Sequence, residues 1–265
     1  MIERQRETLA YVVVTYAITA LSWGTLAVLQ LPATGSTAAV ILYLLGGFST
    51  AIVAFVIALT RRKAERRAYL RRFFRFGISV WWYVVSVLSA VLVVGVAYGT
   101  VRALFPDDTA RLSIQPLYLV VPYFFMMVFG GGIEEFGWRG IVVHNMRRMN
   151  PFAISAIVGV IWFIWHLPLF FIVGVGQYQT STLPFFMGLL GYSFVTTALY
   201  LKTESVVPCI IFHALINAFA ELGFWTAADT QLSYWDGGIR LVVGVVVFAA
   251  IMYAPKGITE SGSPR

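Results

Sequence analysis

Eight apolar runs dominate this chain, each about the length a helix needs to cross a hydrocarbon layer of ~30 Å. They lie near residues 8–30, 38–60, 78–104, 114–138, 152–175, 182–201, 205–227 and 238–254. Backbone N–H and C=O groups in lipid must find partners within the span, and these runs lack the alternation of barrel strands. The expected fold is therefore all-α, a polytopic membrane protein with about eight transmembrane helices. Only 12% of the residues are charged, against roughly 25% in a soluble domain, and the mean hydropathy is +0.81. No repeat or long soluble insertion interrupts the runs, so 1–265 reads as a single membrane domain.

Basic residues accumulate in cytoplasmic loops, which gives an orientation. Arg4, Arg6, the eight basic residues between Arg61 and Arg75, Arg147, Arg148, Lys202, Lys256 and Arg265 fall on one side. Only Arg102, Arg111 and Arg240 fall on the other, with Arg139 set aside. Both termini are expected in the cytoplasm, and a prokaryotic inner membrane is the expected location. Topology and contact with anionic headgroups account for most of the net charge of +7, so nucleic acid is not an expected partner. The stretch 61–76, RRKAERRAYLRRFFRF, suits a basic helix along the membrane surface as well as a plain loop that fixes topology.

Two features are set aside. The lone Cys209 cannot form an internal disulfide, and a buried thiol in apolar surroundings resists ionisation. The stretch LPATG at 31–35, followed by an apolar run and RRK, imitates a cell-wall sorting signal. With seven segments after it, a short external turn using Pro32 and Gly35 is the better expectation.

The informative residues are ionisable groups inside the runs, which are costly there and point to function. Glu134, Glu135 and Arg139 lie in the fourth segment, His166 in the fifth, and His213 with Asn217 in the seventh. At ~1.5 Å per residue, Glu134, His166 and His213 stand roughly 20, 22 and 16 Å from the basic loops. Three segments thus bring acid, base and amide groups to a similar depth, provided that Gly130–Gly132 does not break the fourth helix.

Glu135 and Arg139 are four residues apart, as are His213 and Asn217, so each pair shares a helix face. An ion pair between Glu135 and Arg139 would make their burial tolerable. It would leave Glu134, rotated by about 100°, to face a cavity. Plainer readings exist: Glu134 as a second partner for Arg139, His166 as a core histidine, Asn217 as helix-to-helix glue. Trp162 and Trp165 are expected to pack, His144 to be interfacial, and Glu221 has no assigned role.

A buried carboxylate beside a histidine can share a water and take its proton. A second histidine with an asparagine offers two donors, the composition of an oxyanion hole. Together they describe hydrolysis of an acyl bond by activated water, with a peptide entering from the cytoplasm or the membrane plane as the expected substrate. A non-enzymatic immunity or binding protein and a proton-coupled carrier are the alternatives. Two histidines and a glutamate can also hold zinc, but there is no HExxH helix, and no cofactor is expected.

EEFGWR at 134–139 resembles the EExxxR motif of the CAAX prenyl protease and bacteriocin-processing family of intramembrane endopeptidases. WFIWH at 162–166 resembles its FxxxH motif and HALIN at 213–217 its HxxxN motif, in the family's order, within a core of about 114–227. Trp162 stands where that motif has phenylalanine, so altered packing is expected there. The resemblance implies a metal-independent glutamate peptidase opening toward the cytoplasm. In it Glu134 and His166 activate water, His213 and Asn217 hold the oxyanion, and Glu135 and Arg139 support the site.

Overall fold

A computed structural model describes residues 2–109, 113–224 and 231–254. Among them the regular structure is helical throughout. The main elements are α1 (Ile2–Val28), α2 (Thr37–Thr60), α3 (Lys63–Phe73), α4 (Val80–Leu104), α5 (Leu117–Met146), α6 (Pro151–His166), α7 (Thr182–Thr203), α8 (Val207–Glu221) and α9 (Gln231–Tyr253).

Local chemistry sets several boundaries. Ser36 caps α2 by accepting the Ala39 N–H at 3.2 Å. Asn150 accepts from Phe152 and Ala153 ahead of α6, where Pro151 occupies a first-turn position that needs no N–H.

Among the described residues seven helices are long and apolar enough to cross a membrane. The seventh apolar run departs from expectation, because α8 has only 15 residues, roughly 22 Å of axis, and falls short of a ~30 Å core. The run remains apolar, but its backbone turns. Gly223 adopts φ +96°, and the Phe224 N–H returns to the Phe219 carbonyl at 3.0 Å. Residues 225–227, expected within this segment, lie outside the described residues.

A second departure concerns the last helix. It begins at Gln231 rather than near 238 and carries Arg240 well inside it, buried, instead of near its outer end. Arg240 reaches Asp236 one turn back at 2.7 Å, so its charge belongs to a buried pair and says nothing about topology. Of the other residues in the charge count, Arg111, Lys256 and Arg265 lie outside the described residues.

Many basic groups gather at one end of the bundle. Arg61 pairs with Glu7 at 2.5 Å, joining the α2–α3 junction to the start of α1. Asn145 near the end of α5 donates to Glu7 and Thr8, and Arg72 lies 3.0 Å from His144, whose other nitrogen is 2.8 Å from the Tyr200 hydroxyl. The helix α3 turns Tyr69 and Phe73 inward and leaves Arg62, Arg66, Arg67 and Arg71 exposed. The Phe73 ring meets Phe136 in α5 at 5.2 Å between centroids, directly behind the two glutamates.

Hydroxyls and indoles join the first helices to the fifth span. The Trp165 indole donates to Thr19 at 2.7 Å, and Thr19 lies 2.9 Å from Ser49, the kind of polar link that holds helices together where apolar burial cannot. Large apolar side chains such as Leu21, Val28, Val80 and Val242 remain exposed along the outside, as a lipid-facing surface requires.

Candidate active site

The helix α5 is not one continuous coil. An α-helical stretch, Val120–Gly130, ends at Gly131, whose backbone is extended. A tight turn over Gly132–Glu134 follows, then a wide π-type stretch over Trp138–Val143. Sequence alone flagged the glycines as the weak point, and the break falls there. A side chain at 131 would crowd the site: a Cβ would stand 2.3 Å from Asn217 Nδ2 and 2.9 Å from His213 Nε2. Gly137 is likewise crowded, since a Cβ would stand 1.7 Å from the Tyr11 hydroxyl. The π-type stretch belongs to a class of helix distortion common at functional sites.

Glu135 and Arg139 are fully buried and paired. Arg139 Nη1 donates to Glu135 Oε1 at 3.2 Å, and Nε lies 3.1 Å from Oε2. Glu135 also has a partner not foreseen from the sequence: Oε1 lies 2.8 Å from His213 Nδ1. That contact joins α5 to α8 and aims His213 Nε2 at the space beside Gly131, where Asn217 Nδ2 also arrives. With Nδ1–H given to the carboxylate, Nε2 accepts as neutral imidazole and donates only as imidazolium.

Glu134 faces away from this pair. Its Oε2 accepts the Trp162 indole N–H at 2.7 Å. This corrects the reading of Trp162 as a packing residue. A phenylalanine, as the resemblance led one to expect at this place, has no donor to offer. The same ring lies 4.8 Å from the Arg139 guanidinium and 5.1 Å, edge to face, from His213. His166, one turn after Trp162, has Nδ1 at 2.9 Å from the Trp162 carbonyl. An N–H there leaves Nε2 with a lone pair, so His166 can accept a proton.

Glu134, His166, His213, Asn217 and Gly131 line one cavity of about 470 Å³, walled by α1, α2, α5, α6, α7, α8 and α9. All four residues expected to be catalytic therefore meet in one space, with Glu135 and Arg139 packed behind them. His144, expected at the interface, sits among Arg72, Tyr200 and Arg147 and belongs to the basic end. Cys209 is buried, its thiol 3.3 Å from the Thr196 carbonyl and apart from this chemistry. Among the described residues no group of three His, Cys, Asp or Glu side chains is arranged to hold a metal ion.

Residues 116–219, from the start of α5 to near the end of α8, match the family model described as type II CAAX prenyl endopeptidase Rce1-like. All six residues of the expected site fall inside that match. The resemblance read from the three motifs is thereby borne out: this stretch is similar to membrane proteases of the CAAX type. A curated relative, CAAX prenyl protease 2 of Methanococcus maripaludis, is 26% identical over 94% of this chain and 95% of its own length. A second family model, the LPXTG cell wall anchor motif, matches residues 30–66. Here that stretch forms the α1–α2 turn, the whole of α2 and the start of α3. The turn is held by the Gly35 N–H on the Pro32 carbonyl and the Ala33 N–H on the Val173 carbonyl.

Proposed function

We propose that this protein is an intramembrane endopeptidase that hydrolyses a peptide bond with water activated by Glu134 and His166. The single observation that carries this reading is the convergence of an acceptor pair and a donor pair on one cavity. Glu134 takes a proton from water, and the hydroxide attacks the scissile carbonyl carbon. The oxygen of that carbonyl gains negative charge beside Gly131, where Asn217 Nδ2 and His213 Nε2 hold it. His213 fills this role as imidazolium, with Glu135 as its counter-charge and Arg139 balancing Glu135. Collapse of the tetrahedral intermediate returns the proton from Glu134 to the leaving amine, and His166 Nε2 holds the water during attack.

The peptide reaches the site from the cytoplasm or from the membrane plane, both termini lie in the cytoplasm, and the host membrane is a prokaryotic inner membrane. The basic residues gathered at one end of the bundle support this orientation. No metal takes part in the reading. The test is cleavage of a quenched peptide library, including prenylated and unprenylated C-termini, by protein in liposomes before and after chelation. Unchanged cleavage after chelation is the expected result. Cleavage abolished by chelation and restored by zinc would overturn the glutamate mechanism.

A further inference from the structure

The cavity has a second polar wall that the reaction above does not use. Asp236 and Arg240 on α9 form a buried pair: Arg240 Nε donates to Oδ2 at 2.7 Å and Nη2 to Oδ1 at 2.9 Å. Nη1 donates to the Tyr192 hydroxyl at 2.6 Å, and Nη2 also donates to the Phe224 carbonyl at 2.7 Å. Tyr192, Asp236 and Arg240 all line the space that holds Glu134 and Asn217.

A proton count shows what this wall offers. A guanidinium carries five N–H groups, and the contacts just given engage four. Among the described residues one N–H on Nη1 remains, next to a tyrosine hydroxyl that accepts from Arg240 and keeps its own O–H to give. Two neighbouring donors, one of them charged, suit a carboxylate. A link between α7, α9 and the end of α8 needs no charges, and apolar side chains make such links at lower cost. Charges kept at a cavity wall inside a membrane protein point instead to a ligand.

The location fits a peptide. Phe224 folds back onto the end of α8, and His213 lies eight residues before Glu221, roughly 12 Å along the helix. An extended chain covers that distance in a few residues, at about 3.3 Å each.

Building on the peptidase reading, we propose that Arg240 Nη1 and the Tyr192 hydroxyl receive a carboxylate of the substrate a few residues from the bond that is cut. Asp236 aims the guanidinium. The carboxylate is either the free C-terminus or an aspartate or glutamate side chain.

The test measures binding apart from cleavage, using full-length Glu134→Gln protein in liposomes and fluorescent peptides of three kinds: free C-terminus, amidated C-terminus, and amidated with an acidic residue nearby. The expected result is that a carboxylate-bearing peptide binds at least about tenfold more tightly than its plain amide. Tightening by the free C-terminus or by the acidic side chain tells which carboxylate is read. Adding Tyr192→Phe, which keeps the ring, should remove most of that preference. So should the uncharged pair Asp236→Asn with Arg240→Gln, while amide binding stays unchanged. Equal binding of all three peptides, or a preference untouched by both changes, would overturn the assignment. Carboxylate-selective binding without cleavage by the wild type would defeat the peptidase reading and leave this site standing. Cleavage indifferent to the carboxylate and to Tyr192→Phe would do the reverse.

Discussion

The Trp162 indole N–H donates to Glu134 Oε2 at 2.7 Å, and the same ring lies 4.8 Å from the Arg139 guanidinium. One side chain thus holds the proposed base by its edge and covers the supporting arginine with its face. The carboxylate keeps its other oxygen, Oε1, to take a proton from water.

Trp162→Phe should retain the ring and lose the donor. A hydrogen bond to a charged group is worth about 1.5–3 kcal/mol, so kcat should fall about ten- to hundredfold with KM little changed. Steady-state kinetics on the purified variant, with a circular-dichroism melt to confirm folding, checks this. An unchanged kcat would mean that Glu134 needs no orientation from Trp162.

Glu135 serves two partners, Arg139 and His213, in a fully buried setting. Removing one member of a buried pair leaves an uncompensated charge and costs about 3–5 kcal/mol. Arg139→Met alone should therefore lower the melting temperature in detergent more than Arg139→Met combined with Glu135→Gln, where no carboxylate is left without its arginine. A double variant less stable than the single one would show that the pair does more than offset its own burial.

Gly131→Ala tests the place of the oxyanion. The added methyl would stand 2.3 Å from Asn217 Nδ2 and 2.9 Å from His213 Nε2, in the space they share. Losing such donors costs about 10²–10³ in kcat in other hydrolases, and a loss of at least about hundredfold is expected here in a protein that still folds. Activity close to wild type would place the oxyanion elsewhere.

The parts of this structure written in local spacing could be read from the sequence. Run length predicts eight spanning helices, of which seven reach spanning length among the described residues, and i,i+4 spacing paired Glu135 with Arg139 and put His213 and Asn217 on one face. The same rule applied to Asp236 and Arg240 would have found the second pair, which was hidden by starting the last segment near 238. The turn after Glu221 was illegible because hydropathy counts apolar residues and does not see a backbone reversal. The Glu135–His213 contact spans 78 positions between two helices, and no local pattern encodes which nitrogen meets which oxygen. Trp162 was half legible: an indole four residues before His166 shares its face, but its donor is recognised only when an acceptor is known to lie opposite.

The central claim is that Glu134 activates the water, and the most direct measurement is peptide cleavage in liposomes by wild type and Glu134→Gln side by side. The amide keeps the size and the contact to Trp162 but cannot take the proton. The expected result is cleavage by the wild type and a loss of at least about a thousandfold in the variant, with equal folding and equal peptide binding. Cleavage by the folded variant at the wild-type rate would remove Glu134 from the mechanism and contradict the account.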